Sequence, residues 1–133
     1  MIAAIYARVS TEDQHCELQL AELGGFAERS GWDTAQYIEK LSGKAGVRRP
    51  RLERLLADAR LRKFDIVLVW KLDRFSRSLR DLIGQVETLD CAGVRFIVPS
   101  MNIDTYQKSP TGRFIIHMFE AFAEFERALI VER

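Results

Sequence analysis

The run Asp65-Ile66-Val67-Leu68-Val69-Trp70 constrains this chain more than any other segment. Consecutive β-favouring apolar residues of this length form a short strand covered by its neighbours. Further strands are expected at 2–9, at 34–39 and over Val94-Arg95-Phe96-Ile97-Val98. Between them the apolar residues change to helical spacing. Cys16, Leu20, Leu23 and Ala27 mark a first helix, preceded by Thr11-Glu12-Asp13-Gln14 in the form of a capping box. Gly24-Gly25 leaves open whether that helix kinks or ends there, because each glycine costs about 1 kcal/mol relative to alanine. Pro50 suits the first turn of a second helix, whose inner face is Leu52, Leu55, Leu56 and Ala59. Ser78, with Asp81 three residues on, caps a third that closes near Gly93. The alternation predicts an α/β fold with a mostly parallel central sheet, flanked by helices and joined by right-handed crossovers.

A loop and a long final helix complete the pattern. The helix starts near Ser109-Pro110 and carries Phe114, Ile115, Met118, Phe119, Phe122, Phe125, Leu129 and Ile130. These cover more than one stripe, which predicts burial on more than one side. The sheet can cover one side; a second subunit, or the rest of this domain, covers the other. No glycine or proline stops the helix before Arg133, so it is expected to continue in a longer protein. The expected division is a catalytic unit over 1–108 and the start of an interface helix over 109–133. Segments 41–49 and 99–109 read as connecting loops.

Composition narrows the function classes. A chain of 133 residues is one ordinary domain. No apolar run approaches the ~20 residues that span a bilayer, and Met1-Ile2-Ala3-Ala4 lacks the basic start of a signal peptide. Cys16 and Cys91 lack metal-ligand spacing, and no structural disulfide is expected of them. The expected compartment is the cytoplasm. A net charge of +1 does not by itself announce a nucleic-acid binder. Fifteen of the 20 cationic side chains are arginine, whose fork suits phosphate; a GC-rich genome would enrich arginine too.

The chemistry collects where strands end. In strand 2–9 and its extension, Ile2, Ala4, Tyr6, Arg8 and Ser10 share a face. The strand therefore finishes by projecting a guanidinium and a hydroxyl together. The strand at 65–70 delivers Lys71-Leu72-Asp73-Arg74-Phe75-Ser76-Arg77 to the same edge, where ligands of parallel sheets bind. Arg74 and Arg77 converge if that segment is a helical turn. The basic loop adds Arg48 and Arg49. Each feature has a plainer role alone. Ser10 can be a helix cap, Arg8 an edge residue, Asp73-Arg74 a surface ion pair and 44–49 a solvated loop. A serine among arginines without a histidine base is unlike a hydrolase triad. It suits phosphoryl transfer, in which arginines stabilise charge on non-bridging oxygens.

Tyr6-Ala7-Arg8-Val9-Ser10-Thr11 followed by Leu72-Asp73-Arg74-Phe75-Ser76-Arg77 resembles the catalytic domain of the serine site-specific recombinases, the resolvase/invertase group. The resemblance runs over nearly the whole chain. It takes in Gln14 and Gln19, Ser42-Gly43, Arg49-Pro50-x-Leu52, Glu124-Phe125-Glu126-Arg127 and Ile130-Val131-Glu132-Arg133. It implies that Ser10 attacks a DNA phosphodiester to give a 5′-phosphoserine bond and a free 3′-hydroxyl, without ATP or another cofactor. Arg8, Arg49, Arg74 and Arg77 would stabilise the phosphate. Asp73 would orient these arginines or assist the leaving oxygen, and Gln14 and Gln19 would support the site. Lys44, Arg48, Lys71, Arg127 and Arg133 are candidate DNA contacts. The implied partners are a double-stranded recombination site and further copies of the chain, as a dimer and a synaptic tetramer joined through the final helix. Two departures stand out: Ser76 occupies a position where resolvases often have glycine, and the DNA-binding domain that family members carry after this helix is not among these 133 residues, as expected of a truncated chain. Two other readings stay open. One is a metal-dependent phosphoesterase with Glu12, Asp13 and Asp73 as oxygen ligands; the other is a non-enzymatic α/β oligomerisation module.

Overall fold

The computed structural model describes residues 1–10, 16–41, 49–71, 75, 79–101, 103–105, 117–118, 121, 124–125 and 128. In chain order these form β1 (Ile2–Ser10), α1 (Cys16–Ser30), β2 (Asp33–Leu41), α2 (Pro50–Arg60), β3 (Ile66–Val69), α3 (Leu79–Cys91), β4 (Arg95–Val98), a 3-10 turn at Pro99–Met101 and β5 (Ile103–Asp104). The sheet order is β2-β1-β3-β4-β5. β1 pairs in parallel with β2 and β3, and β3 in parallel with β4. This is the α/β architecture that the sequence pattern predicts.

The fifth strand corrects the expected linker over 99–109. β5 runs antiparallel to β4, with Ile97 opposite Asp104 and Val98 opposite Ile103. Side chains fasten it. Arg95 Nε donates to Asp104 Oδ1 at 2.8 Å, and Thr105 Oγ1 accepts from the Phe96 amide at 2.9 Å. Two residues are too few to show a period, so only tertiary contacts define this strand. The open question at Gly24-Gly25 is also resolved: α1 runs through both glycines. Burial of Leu23 and Ala27 against the sheet outweighs their low helix propensity.

Two apolar layers sandwich the sheet. On one face Ala3, Ile5, Ile66, Leu68 and Ile97 pack with Leu23 and Ala27 of α1. On the other, Ala4, Tyr6, Val67, Val69, Phe96 and Val98 meet Leu52, Leu55 and Ala59 of α2 and Leu82, Val86 and Leu89 of α3. The alternation along β1 is thus the expected one, with Ala4 and Tyr6 on the α2/α3 side and Arg8 next in the same phase; the Ser10 side chain lies outside the described ones. α3 closes at Gly93, whose φ of +74° lets the Val94 amide reach the Leu89 carbonyl at 2.8 Å. Ser78, the expected cap of α3, lies outside the described residues.

β2 and β3 flank β1 on opposite sides. The order in which strands are added therefore reverses between β1 and β3, and the carboxyl ends of such a pair are where open parallel sheets form their ligand crevice. Of the expected final helix, His117, Met118, Ala121, Glu124, Phe125 and Ala128 are described; all are helical and exposed.

Candidate active site

Three elements meet on the α2/α3 side of that edge. β1 brings Arg8, half-buried, and ends at Ser10. β2 brings Glu39, the registered neighbour of Arg8 in the parallel pair, with Leu41 beside Ser10. α2 brings Arg49, the residue before its first turn, which is only 6% exposed.

Glu39 explains how an arginine comes to be buried there. Arg49 makes no side-chain cap for α2. Instead the Arg51 amide donates to Glu39 Oε2 at 2.8 Å. A strand carboxylate thus does the work of an N-cap side chain, and its charge suits the positive end of the helix. This fastens the start of α2 to β2 and draws Arg49 inward, where its Nη1 donates to the Phe75 carbonyl at 2.8 Å. Phe75 is fully buried, edge-on to Tyr6 with ring centroids 5.8 Å apart. The Phe75 backbone comes from the segment between Lys71 and Arg77, so Arg49 links α2 to the neighbourhood of Arg74.

The electrostatics of Glu39 are opposed. Burial pushes its carboxyl above the usual range, while the Arg51 amide and the charges of Arg49 and Arg51 pull it back; burial wins. Its Oε1 is buried with no hydrogen-bond partner among the described residues. Sequence reasoning missed Glu39. The available signal was its phase: Ala35, Tyr37 and Glu39 share a face of β2, so a carboxylate occupies an inward position next to Arg8.

The other expected site residues are placed as follows. Gln19 is fully buried on α1, on the stripe that carries Leu23 and Ala27, across the sheet from Arg8. Neither of its amide atoms has a partner among the described residues. Lys71 is exposed at the end of β3, its ammonium 4.9 Å from the centre of the Trp70 ring. Gln14, Lys44, Arg48, Asp73, Arg74, Arg77, Arg127 and Arg133 lie outside the described residues, as do Glu12 and Asp13 of the metal-dependent reading. Among the described residues no group of three or more His, Cys, Asp or Glu side chains is placed to hold a metal ion.

Arg8 near the end of β1 and Arg49 buried before α2 are both neighbours of Glu39, Arg8 by strand register and Arg49 by its charge. Known proteins share this framework. The chain is 44% identical over 128 residues to the serine recombinase Gin of Escherichia phage Mu, which covers 96% of this chain and 61% of that protein. It is 41% identical over 128 residues to the transposon Tn552 DNA-invertase BinR of Staphylococcus aureus, again 96% of this chain and 62% of the relative. The chain thus spans about three-fifths of the length of these relatives. Among solved structures, the N-terminal catalytic domain of TP901-1 integrase superposes with a TM-score of 0.82 at 37% identity, covering 97% of this chain and 98% of that one. A resolvase family site-specific recombinase from Streptococcus pneumoniae gives a TM-score of 0.76 at 27% identity, over 98% and 90%. With residues 3–133 matching the family model "Resolvase, N terminal domain", the chain belongs to the resolvase/invertase family of serine recombinases and corresponds to its catalytic domain.

Proposed function

We propose that this chain cuts and rejoins DNA at a recombination site with Ser10 as nucleophile. The Ser10 hydroxyl loses its proton and attacks the scissile phosphorus. The bond from phosphorus to the 3′ oxygen breaks, and that oxygen takes up a proton and leaves as a 3′-hydroxyl. The 5′ end stays on Ser10 as a phosphodiester, which a 3′-hydroxyl from the partner duplex attacks in reverse. Bond energy is conserved, so no ATP or other cofactor is required. Arg8, Arg49, Arg74 and Arg77 offset charge on the non-bridging oxygens. Asp73 orients them or assists the leaving oxygen, and Gln14 and Gln19 support the site. Lys44, Arg48, Lys71, Arg127 and Arg133 contact the DNA backbone, whose phosphates supply most non-specific affinity.

The observation that carries this reading is the convergence on Glu39, whose registered neighbour is Arg8 and whose hydrogen bond fixes the helix that Arg49 precedes. On plasmid DNA bearing its recombination sites, the full-length protein should leave covalent protein on 5′ ends in the presence of chelator. Loss of all cleavage in chelator would refute the serine route in favour of metal chemistry. Unchanged strand breakage by Ser10→Ala would refute the nucleophile.

The assembly reading rests on the final helix, the proposed interface unit over 109–133. Met118, Ala121, Phe125 and Ala128 follow 3-4-3 spacing, the seam of a packed helix pair. Met118 and Phe125 are 52% and 59% exposed in the single chain. A second copy would cover them in a dimer, and four copies would meet at synapsis. Among the described residues no helix is long and apolar enough to cross a membrane. The proposed place of action is the cytoplasm of a bacterial or phage-infected cell, where the DNA lies.

A further inference from the structure

We propose that Trp70 is a positioning residue that holds the two arms of this site in register, a role that rests on the function proposed above. The first arm is β1 with Ser10, continuing into α1. The second is β3, continuing through Lys71 towards Asp73, Arg74 and Arg77. α1 and the site lie on opposite faces of the sheet, so packing beneath α1 does not by itself set the second arm.

Trp70 touches both. It is the first residue beyond β3 and immediately precedes Lys71. Its ring packs on the α1 side, against the layer of Ala3, Ile5, Leu23 and Leu68. Its indole Nε1 donates to Glu22 Oε2 on α1 at 2.8 Å. Its backbone carbonyl accepts from Ser100 Oγ in the 3-10 turn after β4. The Lys71 ammonium lies over the same ring. The residue at the exit of β3 is therefore held by its main chain, its ring and its indole N–H at once.

Glu22 sits one turn after Gln19 on α1 and directly before Leu23. Gly24 and Gly25 follow, and a Cβ on Gly24 would meet nothing within 4 Å. The amino-terminal half of α1 rests on the sheet through Leu20 and Leu23, contacts that do not reach the residues beyond β3 other than Trp70. The Glu22–Trp70 bond fixes that half against the second arm. Positioning of this kind matters because a displacement of about 1 Å at reacting groups can cost about 100-fold in rate.

Trp70→Phe keeps most of the ring and removes the donor. Glu22→Ala leaves Trp70 in place and removes the acceptor, and Glu22→Gln retains an acceptor oxygen. In the full-length protein, single-turnover cleavage should fall roughly tenfold in Trp70→Phe and in Glu22→Ala, with DNA affinity and Tm unchanged. Glu22→Gln should restore most of the rate. The Trp70 Nε1–H resonance should lie downfield in wild type and move upfield in Glu22→Ala. Wild-type cleavage by both Trp70→Phe and Glu22→Ala, with Ser10→Ala inert, would overturn the tie and leave the nucleophile assignment standing. Equal slowing in Glu22→Gln and Glu22→Ala with an unmoved indole resonance would also overturn it. Cleavage by Ser10→Ala would instead overturn the reading on which the tie depends.

Discussion

Helix α2 is fastened to β2 at both ends by a carboxylate, and the two fastenings are built in opposite ways. At the trailing end, Asp58 accepts from the Tyr37 hydroxyl at 2.7 Å and from Arg54 Nε at 3.2 Å, with Lys63 Nζ at 3.5 Å. The tyrosine bond and the two cations hold its carboxyl below the usual range despite burial. At the leading end, Glu39 takes one amide and leaves an oxygen buried without a partner among the described residues, and burial holds its carboxyl above the usual range. Both side chains are buried, at 6% and 1% exposure. The saturated end locks the helix to the sheet. The under-saturated end sits beside Arg8 and Arg49, where a phosphate is proposed to arrive.

The largest effect expected from this contrast is on stability, at the saturated end. Asp58→Ala removes the shared acceptor of three groups and leaves the Tyr37 hydroxyl stranded. The stranded hydroxyl is the main loss, about 2 kcal/mol, because the two cations are mostly exposed and their pairs add little. Urea unfolding should show that loss, while the folded fraction cleaves DNA at close to the wild-type rate. Cleavage lost in proportion to the number of molecules still folded would keep the contrast; a slower rate per folded molecule would break it. The second effect is on catalysis, at the other end. Glu39→Ala frees the start of α2 and with it Arg49, so cleavage should fall by roughly 10- to 100-fold. Stability should change by only about 1 kcal/mol, the usual worth of a cap. A Glu39→Ala protein that unfolds like Asp58→Ala would show that both ends are structural.

Legibility in the sequence follows the same division between pattern and contact. The four parallel strands, the three helices and the shared face of Ala4 and Tyr6 were readable because period and turn chemistry specify them locally. β5 was not, since two residues carry no period and the Arg95–Asp104 and Phe96–Thr105 bonds that define it span nine residues. Nor was Glu39 as a cap. Pro50 marks where α2 starts, but the capping oxygen comes from a strand 12 residues away. Arg49 is expected at the end of a basic connecting loop; the structure buries it before α2, on the Phe75 carbonyl. A strand-exit tryptophan reads as one more core residue until its indole N–H is seen to reach α1.

A third expectation uses pH to separate the two carboxylates. Asp58 has a folded pKa below its unfolded one, so its contribution is present above the ordinary carboxylate value and lost as pH falls through the folded value. Glu39 has a folded pKa above its unfolded one, so its contribution is full below the ordinary value and lost as pH rises through the folded value. Glu39→Gln should therefore gain on wild type most clearly near neutrality, and the gap should close as pH falls towards the ordinary glutamate value of about 4.3. Asp58→Asn should lose most at neutrality and converge with wild type in acid. Stability curves in urea across that range test both signs, and parallel curves for the two variants would show that the fastenings are alike.

The smallest expected effect isolates the saturated end alone. Burial, followed by the bond to Asp58 and its charge, pushes the Tyr37 phenol up to about 12. Unfolded tyrosine ionises near pH 10, so the Tyr37–Asp58 bond contributes fully below that value and is lost as pH rises through the folded one. The phenolate absorbance of wild type minus that of Tyr37→Phe isolates this one group, with the circular-dichroism signal marking where the chain remains folded. The difference curve should be centred near pH 12. A midpoint near 10 would mean that the hydroxyl is free in solution, and the lock would then reduce to the Arg54 and Lys63 pairs. Those are half-exposed on the cationic side, at 66% and 53%, and pairs of that kind contribute under about 1 kcal/mol each. Specific polar placement of α2 on β2 would then fall to the Glu39 bond at the leading end, with Leu52, Leu55 and Ala59 supplying the apolar contact.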